Sequence, residues 1–409
     1  MQQSFVSFLE SALDGTRFEP GQILGMHADR PIWVRYHLAQ VQESLRPGHL
    51  EKRTPSLWRY RELLPLPFNE EPVTLGEGMT PLIPCPRLGA ALGLKQLLIK
   101  DESQLPTGSF KSRGMTTAIS MAKSLGIQRV ALPTAGNAGG AAAAYGARAG
   151  IEVYIFMPED TPIVNQLEAV QFGAKVFLVN GLINDCGKLV KQGKESMGWF
   201  DLSTLKEPYR LEGKKTMGLE LAEQMNWTLP AAIFYPTGGG TGLIGMWKAF
   251  DELKQLGWLQ STAMPRLYSC QSEGCAPIAT AFARGERFAP AFPNAHTVAS
   301  GLRVPVAVGD FMMLDAIRVS GGRALTGRES RIIYWMKEAG RLEGISLCPE
   351  TAICLDVLER LSSDQQLDKE APIVVFNTGA SQKYLEVMPL DLPRVDKDAP
   401  VEESLKKLK

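Results

Sequence analysis

The sequence lacks closely spaced metal ligands and paired cysteines. Its six cysteines form no Cys-x-x-Cys motif, and its four histidines are far apart in the chain. Scattered cysteines are typical neither of a disulfide framework nor of a zinc ribbon, so we expect buried free thiols. The dispersed histidines give no helical ligand spacing. The sequence therefore predicts no metal site.

The sequence also lacks net charge and long apolar runs. Its 44 basic side chains equal its 44 acidic ones, so no strong field would attract nucleic acid or an anionic membrane. No apolar run reaches the roughly 18 residues of a membrane span, and the start of the chain shows no signal-peptide pattern. These absences predict a cytoplasmic protein that binds a small molecule, and neither a nucleic-acid nor a membrane partner.

Apolar strand-like runs alternate with helical stretches from residue 96 onward. The predicted strands are 96–100, 129–133, 152–157, 175–179, 231–235, 266–270 and 372–376. The predicted helices are 138–149, 161–172, 214–226, 242–255 and 349–362, long enough for crossovers between parallel strands. This order predicts an α/β fold with mostly parallel sheets covered by helices on both faces.

Residues 106–114 (Pro-Thr-Gly-Ser-Phe-Lys-Ser-Arg-Gly) present Lys111 at a turn that opens a predicted helix. Lysine forms Schiff bases with aldehydes, and a site that favours the neutral amine allows this near neutral pH. Pyridoxal phosphate is the obvious aldehyde cofactor. A Gly-Ser turn before a basic helix start is more often structural when it stands alone, so the other motifs decide between the two interpretations.

A glycine-rich turn follows the predicted strand that ends at Tyr235 and leads into a helix. Exposed backbone amides at a helix N-terminus favour a phosphate as the occupant. The residues concerned are Gly238, Gly239, Gly240, Thr241 and Gly242. Residues 240–245 also match the dinucleotide fingerprint, which leaves a nicotinamide oxidoreductase as an alternative, although no acidic residue follows at the usual spacing of about 20 residues.

Two further turns after predicted strands carry polar groups that suit a cofactor. Asn137 lies in the turn 133–140 before an alanine-rich helix, and its side chain could donate a hydrogen bond to a cofactor oxygen. Thr378 follows the last apolar strand, and its neutral hydroxyl could face a pyridine nitrogen. In isolation, a turn asparagine and an N-cap threonine are the structural alternatives.

Taken together, these motifs resemble threonine synthase, within the fold-type-II enzymes that use pyridoxal phosphate. The resemblance runs from Ser56 to Tyr384. It rests on 75–82 (Leu-Gly-Glu-Gly-Met-Thr-Pro-Leu), 106–114, 135–138 (Ala-Gly-Asn-Ala), 208–216 (Pro-Tyr-Arg-Leu-Glu-Gly-Lys-Lys-Thr), 236–242 and Thr378 with Gly379.

The resemblance implies a role for each matching residue. Lys111 would bind the cofactor covalently, Asn137 would contact its 3-hydroxyl, the glycine loop would hold its phosphate, and Thr378 would meet its pyridine nitrogen. Once released by the substrate, the lysine amine would remove the α-proton. The expected activity is that of a lyase converting O-phosphohomoserine and water to threonine and phosphate.

Four positions depart from the family's usual pattern and bear on the substrate. Ser112 follows the lysine where an aspartate is common, and Glu207 stands where an asparagine is common. Ala135 and Ala138 replace hydroxyl residues beside the cofactor asparagine, and the glycine loop is closer in form to that of serine and threonine dehydratases. A dehydratase that converts a hydroxy amino acid to a keto acid and ammonia is therefore the main alternative, and a catalytically silent relative is another.

We expect the substrate to be held by groups around the cofactor. Backbone amides at 134–138 suit a carboxylate, because they lie at a predicted helix N-terminus. Arg210 is a candidate ligand for a substrate phosphate, with Glu207 as a competing partner, and Arg303 is a candidate for an anionic group. The expected substrate contacts are Ser109, Thr134, Ala135, Gly136, Ala138, Arg210 and Arg303.

The expected domain organisation is a cleft between two α/β units that holds the cofactor. The larger unit comprises 71–114 and 216–390, and a smaller, mobile unit, 115–215, carries the asparagine loop. Residues 1–70, with polar and aromatic helical pieces, form an extension packed on the core, and 391–409 form a loosely held tail. The resemblance also implies a homodimer, since fold-type-II relatives are usually dimers.

Overall fold

Segments rich in apolar and β-branched residues form strands that helices bury on both faces. A computed structural model describes residues 4–395, 397, 398, 400 and 402. The described strands are β1 (Val6–Ser11), β2 (Arg17–Phe18), β3 (Ile32–Tyr36), β4 (Leu82–Pro84), β5 (Gln96–Asp101), β6 (Arg129–Pro133), β7 (Glu152–Pro158), β8 (Lys175–Val179), β9 (Phe200–Asp201), β10 (Ala232–Pro236), β11 (Arg266–Ser272), β12 (Arg323–Gly327) and β13 (Pro372–Asn377). The described α-helices are α1 (Leu38–Ser44), α2 (Pro47–Leu50), α3 (Pro86–Leu92), α4 (Lys111–Ser124), α5 (Ala138–Ala149), α6 (Ile163–Gln171), α7 (Ile183–Met197), α8 (Tyr209–Gln224), α9 (Thr241–Gln255), α10 (Pro277–Ala283), α11 (Asp310–Val319), α12 (Ile332–Glu343) and α13 (Pro349–Ser363).

The larger sheet has the strand order β12-β11-β10-β13-β5-β4. Its strands are parallel except β4, which runs antiparallel to β5. Successive residues of β10 point to opposite faces: Phe234 packs in one core with Trp335 and Ile353, and Ile233 packs in another with Leu243. The sheet is therefore buried on both faces, as the apolar strand sequences predict.

The smaller sheet has the order β8-β7-β6-β9, and all of its strands are parallel. A third sheet, β2-β1-β3, is antiparallel and is formed by the first residues of the described chain. Leu9, Ile32 and Val34 of this third sheet pack in one core with Met115 and Ile119 of α4. The N-terminal sheet thus lies against the helix that begins at Lys111.

The helical pieces predicted before residue 70 begin only at Leu38, so the expectation of helix is wrong for the preceding 30 residues or so. Within β3, buried Ile32 and Val34 alternate with the more exposed Trp33 and Arg35. This period of two forms a strand because one face is buried against the catalytic core, a contact that lies far away in the sequence.

From residue 96 onward the expected α/β fold is confirmed. Each predicted strand is present with ends within two residues of the expected ones, and α5 has its predicted bounds. Helix α8 begins at Tyr209, earlier than expected, and the short strands β4, β9 and β12 were not predicted. The domain bounds proposed from the sequence stay a prediction, and the expected loose tail includes 396, 399, 401 and 403–409, which lie outside the described residues.

Two expectations drawn from absences concern membrane spans and cysteines. Among the described residues, no helix combines the length and the apolar character needed to cross a bilayer. All six cysteines are buried and form no disulfide.

Candidate active site

One cavity of about 410 Å³ lies where the carboxyl ends of parallel strands from both sheets meet. Its wall includes Pro133 at the end of β6, Pro236 at the end of β10 and Thr378 just after β13. Open α/β sheets commonly bind ligands at these strand ends. The residues predicted to bind the cofactor all line this cavity, namely Lys111, Asn137, Gly238, Gly239, Gly240, Thr241, Gly242 and Thr378.

A tight turn delivers Lys111, the first residue of α4, to the cavity. Thr107 and Gly108 both have a φ of 59°, in the left-handed region that reverses the chain direction. The turn is held to the segment after β13, because the Phe110 N–H donates to the carbonyl of Thr378 at 3.1 Å. The lysine and the threonine are therefore positioned by the same contact, although 267 residues separate them in the sequence.

The amino group of Lys111 lies in an electropositive, partly buried environment. Burial, and then the positive charge of Arg210, lower the pKa of Lys111 to about 8, against an opposing effect of Glu350. Its Nζ lies 4.3 Å from the centroid of the Phe110 ring, which Lys214 Nζ also approaches at 4.1 Å. About a tenth of the amine is therefore neutral at pH 7, far more than for an ordinary lysine, as a lysine nucleophile requires.

The glycine loop between β10 and α9 has no room for side chains. A Cβ on Gly238 would lie 2.3 Å from the carbonyl oxygen of Gly301, and one on Gly240 would lie 1.9 Å from Met313 Sδ. Gly240 also has a φ of 75° and caps the start of α9. The main chain thus comes close to the cavity at a helix N-terminus, an arrangement that favours a phosphate.

The amide of Asn137 has one end bound by protein and one end free. Its Nδ2 donates to the hydroxyl of Tyr384 at 3.0 Å, whereas its Oδ1 is buried and has no partner. A buried polar atom without a partner costs about 1–3 kcal/mol, so a bound ligand would relieve this cost. A rotation of the amide would present the NH₂ group to the cavity and let Tyr384 donate to Oδ1.

The hydroxyl of Thr378 lies beside a buried thiol at the cavity wall. Its Oγ1 is 3.7 Å from Cys348 Sγ, and its backbone N–H donates to Thr351 Oγ1 at 3.3 Å. Burial, and then the negative charge of Glu350, raise the pKa of the Cys348 thiol to about 12, so the thiol stays uncharged near neutral pH. Thr378 and Cys348 thus offer an uncharged hydroxyl and an uncharged thiol at this part of the cavity.

Among the cavity residues that sequence reasoning missed, Glu350 and Tyr384 contact groups beside the expected cofactor site. Glu350 is the second residue of α13; its Oε1 accepts the Gly301 N–H at 2.8 Å, and its Oε2 is buried without a partner. The hydroxyl of Tyr384 accepts a hydrogen bond from the side-chain amide of Asn137. The only sequence signal for Glu350 was its place after a proline at a predicted helix start. An acidic residue there is ordinarily explained by its favourable interaction with the helix dipole, so it did not indicate a place in a cavity.

The expected substrate contacts fall into two groups. Thr134, Ala135, Gly136, Ala138 and Arg303 line the cavity. Ser109 and Arg210 do not line it. Ser109 is fully buried, and its backbone forms an antiparallel β-bridge with Gly379.

Arg210 is buried and is not exposed to the cavity, as a ligand of the substrate phosphate would be. Its Nη1 donates to the carbonyl of Leu202 at 2.7 Å, and the whole residue is 3% exposed. Glu207 accepts the backbone N–H groups of Tyr209 at 2.7 Å and Arg210 at 3.1 Å, so its carboxylate caps the start of α8. Burial raises the pKa of Glu207 to about 7, opposed by the charge of Arg210. A role of Arg210 in binding substrate phosphate stays a prediction.

The residues that follow the lysine hold α4 in place. The Ser112 hydroxyl donates to the carbonyl of Pro106 and contacts Thr107 Oγ1 at 3.1 Å, so it closes the turn. Arg113 is fully buried and donates to Glu102 at 2.5 Å and to Glu220 at 2.9 Å. The start of α4 is thus anchored by a buried ionic cluster, which fixes the lysine relative to the sheet.

Comparisons with known protein families and sequences give clear matches to this chain. A protein-family model described as Pyridoxal-phosphate dependent enzyme matches residues 73–379. Threonine synthase of Methanocaldococcus jannaschii is 33% identical over 351 residues, which cover 86% of this chain and 86% of the relative. Threonine synthase of Methanosarcina acetivorans is 37% identical over 331 residues, covering 81% of this chain and 80% of the relative.

Solved structures with a similar fold have lower sequence identity. Diaminopropionate ammonia lyase from Escherichia coli has a TM-score of 0.65 at 19% identity and covers 77% of this chain and 88% of its own. Threonine deaminase isoform 2 from Solanum lycopersicum has a TM-score of 0.64 at 21% identity, covering 75% and 82%. At these identities the likeness concerns the fold alone.

Proposed function

This chain belongs to the family of pyridoxal-phosphate dependent enzymes, as a relative of threonine synthase, and we propose that it converts O-phosphohomoserine and water to threonine and phosphate. The resemblance, the fold type and the cofactor predicted from the sequence are confirmed by the family match. The proposal for the substrate rests on one observation: a single cavity combines a lysine, a glycine loop and additional cationic side chains. The nicotinamide alternative has no support from the family match.

The residues present fit pyridoxal phosphate. We propose Lys111 as its covalent anchor, the loop 238–242 as its phosphate site, Asn137 as a partner of its ring oxygen and Thr378 as the partner of its ring nitrogen. Support comes from the free amide end of Asn137, from the absence of space for side chains in the described glycine loop, and from the lowered pKa of Lys111.

The chain's own groups supply proton transfer and orientation. When bound, pyridoxal phosphate stabilises negative charge on the α-carbon of an amino acid. The neutral Nζ of Lys111 would accept the α-proton, since its lowered pKa leaves a free base near neutral pH. The backbone amides at the start of α5, with Thr134 beside them, would orient the substrate carboxylate.

We expect covalent capture of pyridoxal phosphate by the apoprotein to speed up with pH until about pH 8. Only the neutral amine attacks the aldehyde, and a pKa of about 8 leaves about a tenth of Lys111 neutral at pH 7, against less than about a thousandth of an ordinary lysine. Stopped-flow measurement of the visible absorption band should show a rate that rises about tenfold per pH unit and levels off above pH 8.

Arg210→Met provides the matched variant for this pH profile. The positive charge of Arg210 helps to lower the pKa of Lys111. Its removal should therefore raise this pKa and move the pH at which the capture rate levels off to a higher value. A wild-type rate that keeps rising to pH 10 would show that the amine titrates normally.

A dehydratase acting on serine or threonine is the second candidate. It is favoured by Ala135 and Ala138, which lie in the cavity without hydroxyl groups, and by the form of the glycine loop. Threonine deaminase is among the proteins with a similar fold, a likeness that carries no information on the substrate.

The holoenzyme should release inorganic phosphate from O-phosphohomoserine and form an equal amount of threonine. Phosphate can be measured colorimetrically and threonine by chromatography, with the same reactions run on serine and on threonine. Keto acid formed from either hydroxy amino acid at a higher kcat/KM than threonine from phosphohomoserine would replace our proposal with the dehydratase.

We further propose that the protein is a cytoplasmic homodimer. Family membership supports the dimer. The composition of the chain supports the cytoplasmic location. Sedimentation of the purified holoenzyme measures the oligomeric state directly.

A further inference from the structure

The cavity contains more positive charge than the cofactor requires. Its described lining includes one carboxylate, Glu350, and five cationic side chains: Lys111, Lys188, Lys191, Lys206 and Arg303. The proposed phosphate site uses backbone amides of the glycine loop, and Lys111 is the proposed covalent anchor. The remaining cations therefore favour a second anionic group in the same cavity.

Arg303 is the cavity cation with the best geometry for an anion, and it is already paired. Its Nη1 and Nη2 donate to Asp160 Oδ2 and Oδ1, both at 2.7 Å, in a bidentate contact. Arg303 follows the short 3₁₀ turn at Ser300–Leu302, and Asp160 follows β7 of the smaller sheet. The pair thus joins segments packed on the two different sheets, at a side chain that lines the cavity.

The partner of Arg303 is placed where it can be displaced. The side chain of Asp160 is 59% exposed, whereas that of Arg303 is 17% exposed. An ion pair with one exposed member contributes little net stability, so its replacement by another anion costs little. The hydrogen bonds of Arg303 lower the pKa of Asp160, so the carboxylate is charged at neutral pH.

Arg210, the other arginine expected at the site, is buried and only partly paired, since its Nε has no hydrogen-bond partner. Its Nη1 donates to the carbonyl of Leu202, and the side chain does not line the cavity. Arg303 is therefore the arginine that lines the described cavity, while a phosphate role of Arg210 stays a prediction.

We propose that Arg303 binds the phosphate of the substrate and that Asp160 is a built-in competitor, so that the resting Asp160–Arg303 pair is exchanged for an Arg303–phosphate pair. This inference rests on the proposed function for the identity of the anion. A phosphate offers the same bidentate geometry as a carboxylate and carries more charge. A neutral hydroxyl cannot replace the carboxylate, so the exchange favours phosphorylated substrates over serine or threonine.

Asp160→Asn should tighten phosphate binding, because it removes the competitor and keeps the size of the side chain. We expect the KM for O-phosphohomoserine and the dissociation constant of inorganic phosphate to fall about two- to fivefold. Calorimetric titration of the holoenzyme with inorganic phosphate measures the second quantity without turnover, while the cofactor occupies the glycine loop. Arg303→Met should weaken both by at least about tenfold, and Arg303→Lys should restore part of the loss.

Asp315→Asn is the matched control. Asp315 pairs with Arg287 at 3.0 Å, is similarly exposed, and lies outside the cavity lining. It should leave both constants within error of the wild type. If Asp160→Asn behaves like this control, or if Arg303→Met leaves phosphate affinity unchanged, the exchange is refuted. Arg303-dependent phosphate binding in a protein that forms no threonine would refute the proposed function and leave the anion site standing.

Discussion

Lys111→Ala should lose the visible absorption band of bound cofactor and lower kcat by at least about 10³-fold. The lysine is the first residue of α4 and reaches the cavity, so alanine removes both the proposed covalent anchor and the proposed proton acceptor. Borohydride reduction of the wild type, followed by peptide mass spectrometry, should place the cofactor label on Lys111.

The control for this experiment is Lys123→Ala, an exposed lysine on the same helix. It should retain the absorption band and the activity, since its side chain lies far along α4 from the cavity. A Lys111→Ala protein that still forms a reducible covalent complex would show that another amine is the anchor. Lys214, which shares the Phe110 ring, would then be the first residue to examine.

Glu220→Gln should destabilise the fold by about 3–5 kcal/mol. Glu220 is fully buried between Arg113 and Lys100, and the neutral amide would leave two buried cations with too little negative charge around them. Burial opposes ionisation of Glu220, but the charges of Arg113 and Lys100 outweigh it and hold the pKa of this carboxyl well below its usual range. Urea denaturation followed by far-ultraviolet circular dichroism measures the loss.

The sign of the pH dependence gives a second check on the same residue. A carboxyl with a depressed pKa in the folded state stabilises the protein above the pKa of the unfolded chain, and the contribution is lost as the pH falls. The difference in the free energy of unfolding between wild type and Glu220→Gln should therefore be largest near pH 7 and should decrease as the pH falls.

Glu338→Gln serves as the control for the buried cluster. Glu338 pairs with Arg341 at 2.7 Å on α12, where the arginine is largely exposed. Its loss should cost less than about 0.5 kcal/mol. A change of that small size for Glu220→Gln would mean that the buried cluster contributes specificity and little stability.

The agreement between sequence and structure is closest where local patterns decide. Helix α5 has its predicted bounds because an alanine-rich run follows a turn that contains Gly136 and Asn137. The short strand β12 was missed, because its five residues include arginine, threonine and glycine and show no clear period of two. The strands β1 and β3 depend on burial against α4, so their sequences alone did not indicate them.

The cavity groups were predictable for a topological reason. Lys111, Asn137, the glycine loop and Thr378 each follow or precede a regular element at a turn, and parallel strands bring their carboxyl ends to one edge. Glu350 and Tyr384 gave no comparable signal, because one stands at an ordinary helix start and the other in a short turn near the end of the described chain.

The sequence by itself determined the α/β fold, the cofactor and the groups proposed to hold it, since these depend on local periodicity and on short motifs at strand ends. Only the tertiary structure decided which of the two arginines lines the cavity. Arg210 belongs to a family motif yet is buried against the carbonyl of Leu202, whereas Arg303 lines the cavity beside Asp160. Asp160 and Arg303 are 143 residues apart, and their pairing depends on how the two sheets pack, a relation that no local sequence pattern carries.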